Sequence, residues 1–214
     1  MCERRLREFD ASIRNYNLAI KYAETDSAIW SYTVDRAWVK FLQRDYDGCR
    51  ADCRLVLEED SLNIRALSDM AMAYEAEYEI DLALSFLNKI LTFDSTNVTV
   101  IMNMGFVYQK DGQYEKSIEY FDRAIALDPT EGIVYNNRAY SKMKLNDLKG
   151  ALLDVNKSME LFPNNSYAYR NRALIYIEMG KTKKACKDLE SANAWGFTIS
   201  YGNEVIELQR KYCK

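Results

Sequence analysis

Apolar and small residues recur along the chain at steps of three and four, in runs separated by short polar breaks. Between 98 and 131 the marks are Gly105, Tyr108, Tyr114, Phe121, Ala124 and Pro129. That spacing puts the apolar positions on one face of a helix. The polar breaks fall into two kinds. KDGQ at 110–113 and EMGK at 178–181 read as tight turns inside helix pairs. DPTE at 128–131 and FPNN at 162–165 end one helix and open the next, with Pro as the stop. DSLN at 60–63 and DSTN at 94–97 fill the same role without Pro. No Gly- or Ser-rich linker interrupts the series, so the expected organisation is one all-helical domain spanning 1–214.

The marks repeat at a fixed interval. Blocks beginning at 30, 64, 98, 132 and 166 start 34 residues apart, and no gap is needed between them. Block 30–63 supplies Ala37, Tyr46, Cys49, Cys53 and Val56; block 64–97 supplies Ala71, Tyr74, Ile80, Ala83, Leu87 and Ile90. Block 132–165 supplies Ala139, Leu148, Ala151, Val155, Ser158 and Pro163. Block 166–199 supplies Ala173, Tyr176, Ala185, Leu189 and Ala192, then diverges at Gly196. Small residues let two helices approach closely, and larger ones fill the space between neighbouring pairs. A fixed period of this length marks a repeat architecture in which each unit needs its neighbours.

This pattern resembles the tetratricopeptide repeat. That family has small residues at repeat positions 8, 20 and 27, apolar ones at 17 and 24, and often Pro at 32. The resemblance implies an all-α fold, a right-handed superhelical solenoid of antiparallel helix pairs. Five repeats would run 30–63, 64–97, 98–131, 132–165 and 166–199. Residues 1–29 would form a partial repeat: a lone second helix over 7–23 carries Phe9, Ser12, Tyr16 and Ala19 at positions 17, 20, 24 and 27, with a link of non-standard length to residue 30. Residues 200–214 would form a cap, with a helix over 203–213 offering Val205, Ile206, Leu208 and Tyr212.

Composition narrows the chemistry. Apolar residues make up 48% and charged residues 29%, the balance of a globular chain and not of a disordered one. Lys and Arg number 29 against 32 acidic residues and are dispersed, so no basic stripe advertises nucleic acid. Arg4, Arg5 and Arg7, and Lys181, Lys183, Lys184 and Lys187, are local basic clusters that read as solvated surface. There is no histidine, which removes His-based metal sites, His general bases and Ser-His-Asp triads. No phosphate loop or nucleophile elbow is present. No catalytic residue, metal or cofactor is expected. The five cysteines lack framework spacing, and Cys49 and Cys53, four apart on one helix face, read as buried free thiols. No apolar run is long enough to span a membrane. The N-terminal residues lack a signal-peptide core, so a cytoplasmic location is expected unless a leader has been removed.

The resemblance also implies where a ligand would sit, because the family's first helices line a concave groove through positions 2, 5, 6, 9, 12 and 13. Position 6 is Asp35, Asp69, Asn103, Asn137 and Asn171. Such residues have no propensity advantage inside a helix. A column of amides suits the backbone of an extended peptide, since Asn both donates and accepts; a repeated surface polar residue is the alternative. Position 9 is Trp38, Met72, Phe106, Tyr140 and Leu174, an apolar column suited to anchoring side chains. Asn136 and Arg170 at position 5, and Lys110 and Lys144 at position 13, complete the expected groove. The family's two-carboxylate clamp is not expected, because Met102 and Ile133 occupy slots where it needs lysines. Arg36, Arg138 and Arg172 at position 7 either hold neighbouring carboxylates or meet a partner's acid. The groove reading makes the chain a non-enzymatic scaffold for a protein or peptide. A structural component packing by its edges or convex face, or self-associating, is the alternative, and RNA binding a weaker one.

Overall fold

The structure is a computed structural model that describes residues 2–213, with side chains from Arg7 onward. Thirteen helices are present among the described residues. They are α1 (Cys2–Lys21), α2 (Asp26–Leu42), α3 (Tyr46–Glu59), α4 (Ile64–Ala76), α5 (Ile80–Phe93), α6 (Val98–Lys110) and α7 (Tyr114–Leu127). They continue as α8 (Gly132–Lys144), α9 (Leu148–Leu161), α10 (Ser166–Glu178), α11 (Thr182–Ala194), α12 (Phe197–Tyr201) and α13 (Glu204–Tyr212). Packing divides the chain into two compact units, one ending at Val100 and the other beginning at Ile101. In the first, α1 packs on α2, α2 on α3, α3 on α4 and α4 on α5. In the second, α7 through α11 pack in sequence, and α13 closes on α11. This is the all-α, helix-pair fold expected from the period.

The backbone repeats as faithfully as the side chains. Each turn inside a helix pair places one residue in the left-handed region, always at repeat position 15: Arg44, Tyr78, Gly112, Asn146 and Gly180. The following N–H then reaches back to the carbonyl at position 11, as in Asp45 to Lys40 at 2.9 Å and Lys181 to Tyr176 at 2.8 Å. This contact satisfies a carbonyl that the helix end would leave unpaired. Gly and Asn take the left-handed conformation readily, whereas Arg44 and Tyr78 adopt it against steric cost. Helix starts are capped by side chains. Asn63 accepts from the Ala66 N–H at 3.1 Å, and Asp45 and Asp147 accept from Gly48 and Gly150 at 2.9 Å each.

Positions 8, 20, 24 and 27 form the cores, and every one of them is buried in all five blocks. The two sides of the helix pair are size-matched. Position 24 is Cys53, Leu87, Phe121, Val155 and Leu189; opposite the largest, Phe121, position 8 shrinks from Ala to Gly105. A Cβ on Gly105 would lie 2.6 Å from the Phe121 ring. The glycine is therefore dictated by packing and not by backbone conformation.

The ends hold one correction and two features that the repeat pattern did not foresee. The link between α1 and α2 is the ordinary four residues, 22–25; the residues left over before 30 fold into an extra turn at the start of α2. Residues 197–201, divided between the last repeat and the cap from sequence, form a short helix of their own, α12, whose Phe197 is buried against Tyr167 and Tyr201. Cys186 and Cys213 are joined by a disulfide with Cα atoms 5.6 Å apart, so only Cys49 and Cys53 are free thiols among the described side chains. The bond ties α11 to the residue after α13. Two of the basic residues noted at the N-terminus, Arg4 and Arg5, have side chains outside the described residues.

Candidate binding surfaces

In the first unit, helices α2 and α4 and the start of α6 line an open pocket of about 430 Å³. Trp38, Ile64 and Val100 give it apolar walls; Arg65, Ser68, Asp69, Asn97 and Thr99 give it polar ones. Trp38 stands on α2 with its ring stacked on Phe41 at 5.2 Å and is partly open to solvent. Asn97 holds its place by capping α6, accepting from the Val100 N–H at 3.0 Å. Asp69 is the unusual member. The residue as a whole is 9% exposed, and its carboxylate, whose oxygens still reach solvent, makes no hydrogen bond or ion pair among the described residues. Burial pushes its pKa up to about 7; Arg65 opposes the rise and Asp35 adds to it. Arg65 is already committed, its guanidinium donating to Asp35. The two position-6 acids thus differ: Asp35 is paired and half-buried, Asp69 buried and unpaired.

In the second unit the expected groove residues separate into two groups. Asn103 and Asn137 are half-buried, and their side-chain amides bond to nothing among the described residues. Phe106 beside them is 44% exposed, and Tyr140 is half-buried with the Lys144 ammonium 5.2 Å above its ring. Lys110 is half-buried. The other group is turned inward. The Asn171 side-chain amide donates to the side-chain Oδ1 of Asn136 at 2.9 Å, and both residues are 3% exposed. Arg170 donates to the Asn171 side chain at 2.7 Å and pairs with Glu204 of α13. Asn136, Asn171 and Arg170 thus fasten α8, α10 and α13 together.

The position-7 arginines have an internal answer. Arg36, Arg138 and Arg172 each make two hydrogen bonds to an aspartate at position 23 of the same repeat: Asp52, Asp154 and Asp188. The distances are 2.6–2.8 Å. Lys40 and Lys142, at position 11, join the first two pairs at 2.8 Å. Burial works against charge on Arg138, but its bonds to Asp154 and Asp122 outweigh that and raise its pKa. The sequence contained a signal for this. The two repeats that lack Arg at position 7 carry Met70 and Met104 there, and Phe86 and Tyr120 at position 23. These aromatics stack on Tyr74 and Tyr108 of position 11 at 5.6 and 5.3 Å. Position 23 follows position 7 in all five repeats.

Two stretches match the family model for the tetratricopeptide repeat, 99–131 and 155–187. The chain is a tetratricopeptide-repeat protein. No curated protein matches it. Among solved structures, a thermophilic tetratricopeptide-repeat protein of Thermus thermophilus is 14% identical, with a TM-score of 0.71 over 86% of this chain and 96% of that one. The pilF protein of Pseudomonas aeruginosa is 18% identical, with a TM-score of 0.70 over 86% and 91%. MamA from Desulfovibrio magneticus RS-1 is 14% identical, with a TM-score of 0.64 over 90% and 100%. At these identities the likeness is one of fold.

Proposed function

We propose that the protein is a non-enzymatic scaffold that holds an extended segment of another protein against the first helices of its repeats. The observation that carries this reading is the pair Asn103 and Asn137. Both stand one repeat apart at position 6, with unbonded amides, beside the exposed Phe106 and the Lys-covered Tyr140. Two such amides can bond the backbone of a strand-like segment, and the aromatics supply apolar anchors. Asn171, Asn136 and Arg170 serve this reading indirectly, by holding the last helices in place. In this reading 30–63, 64–97, 98–131, 132–165 and 166–199 are the repeats, with partial elements at either end. A cytoplasmic location was expected from the N-terminal residues; a Cys186–Cys213 bond instead favours an oxidising compartment. No helix among the described residues is long and apolar enough to cross a membrane.

The test is a pull-down from the native organism's lysate with wild type and with Asn103→Ala/Asn137→Ala. Circular dichroism first establishes that the variant keeps its helicity. A protein retained by the wild type and lost by the variant supports the reading and identifies the ligand. Equal retention by both overturns it and points to packing by an edge or the convex face.

A further inference from the structure

We infer that the cavity in the first unit is a receptor for a cationic side chain, the ammonium or guanidinium of a Lys or Arg in the partner's segment, with Asp69 as its counter-ion. The inference rests on the scaffold reading for the segment that carries the cation. Its own support is local. Asp69 as a residue is nine-tenths buried, and its carboxylate, which keeps a solvent-accessible edge, makes no hydrogen bond among the described residues; such a group is costly to keep, and it persists where a ligand completes it. Asp69 lines an open cavity, so its vacant bonding positions face space a ligand can enter.

The remaining walls select for positive charge. Arg65 is the cation among the lining residues, and Asp35 already neutralises it. The balance of Asp35, Arg65 and Asp69 is one negative charge when Asp69 is ionised. An incoming anion would meet that charge, and a neutral side chain would leave it unpaired. The Trp38 ring offers a face to a cation, and the Ser68 and Thr99 hydroxyls offer oxygen acceptors for its remaining N–H groups. The volume, near the lower end of the roughly 300–1,000 Å³ of small-molecule pockets, suits one long side chain and its backbone.

The experiment is an NMR titration of the ¹⁵N-labelled full chain. The probes are Nα-acetyl-lysine methylamide, its arginine counterpart, and Nα-acetyl-norleucine methylamide as the uncharged isostere. The Trp38 indole N–H and the Thr99 amide are expected to shift saturably with lysine or arginine, and at least tenfold more weakly with norleucine. Asp69→Asn should abolish the preference; Asn is the natural residue at this position in three other repeats, so the variant is expected to fold. Arg65→Gln, which removes the competing internal cation, should keep or strengthen binding. Equal response to norleucine, no response to any probe, or unchanged binding by Asp69→Asn overturns the inference. The two proposals fail separately. Capture that depends on Asn103 and Asn137 without cation binding leaves the scaffold reading standing and removes the receptor. Cation binding with capture indifferent to those asparagines does the reverse.

Discussion

Asp69→Asn should make the protein more stable at neutral and alkaline pH while removing a binding group. The carboxyl's pKa in the folded chain, about 7, lies above its ordinary value of 3.8. Between those two pH values the folded chain holds a proton that the unfolded chain has released. Folding stability therefore falls as pH rises through that window and stays low above it. The window spans about three pH units, and at about 1.4 kcal/mol per unit the cost above it approaches about 4 kcal/mol. Relaxation around the charge reduces this, so a gain of about 2–4 kcal/mol is expected for the Asn variant near pH 8. Near pH 4 both side chains are uncharged in the folded state, and the difference should shrink toward zero. Urea denaturation of both proteins near pH 8, 6 and 4 reads this directly. The midpoints should diverge with rising pH while the slopes stay equal. A variant that is no more stable near pH 8, or that differs by the same amount at every pH, refutes the argument that Asp69 is an unpaired buried charge.

Other substitutions test the packing. Asp154→Ala leaves Lys142 without its carboxylate and Arg138 with Asp122 alone, and is expected to cost about 3 kcal/mol in chemical denaturation. Gly105→Ala drives a methyl into the Phe121 ring and should cost about 1–3 kcal/mol; adding Phe121→Leu should recover most of it in a double-mutant cycle. Ser158→Ala removes a buried hydroxyl that has no hydrogen-bond partner, and a rise of about 1 kcal/mol in stability is expected from the urea midpoint. Tyr78→Gly relieves a left-handed backbone at a bulky residue and should raise the thermal midpoint, by about 1 kcal/mol in stability.

The repeat frame was readable because close helix packing imposes its demand at the same four positions every 34 residues. Position 24 and position 8 even trade size between Phe121 and Gly105. The last helix was readable for the same reason, from the apolar spacing of Val205 and Leu208. What lay outside the period was harder to see. Cys186 and Cys213 are 27 residues apart in sequence, a separation that carries no geometric signal until α13 folds back on α11. α12 is too short to show a helical period. The candidate surface was only half legible. Repeat position identified Asp35, Asp69, Asn103, Asn137 and Asn171 as one column, yet their neighbours set their fates. Asn136 draws Asn171 inward, and Arg65 engages Asp35 and makes no ion pair with Asp69 among the described residues. The position-7 arginines were undecided only while read one column at a time; alongside position 23 their partners were visible.

That pairing of columns sorts the repeats into two kinds of lock. A chain of near-identical modules risks docking a first helix onto the wrong second helix while it folds. Here the modules come in two chemistries, Arg with Asp in three repeats and Met with an aromatic ring in two. A slip of one repeat across the junction at residue 64 or 132 would bury a guanidinium against a ring or an aspartate against a thioether. Neighbouring modules on opposite sides of those two junctions cannot exchange partners cheaply, so the change of chemistry works as a check on register at each of them.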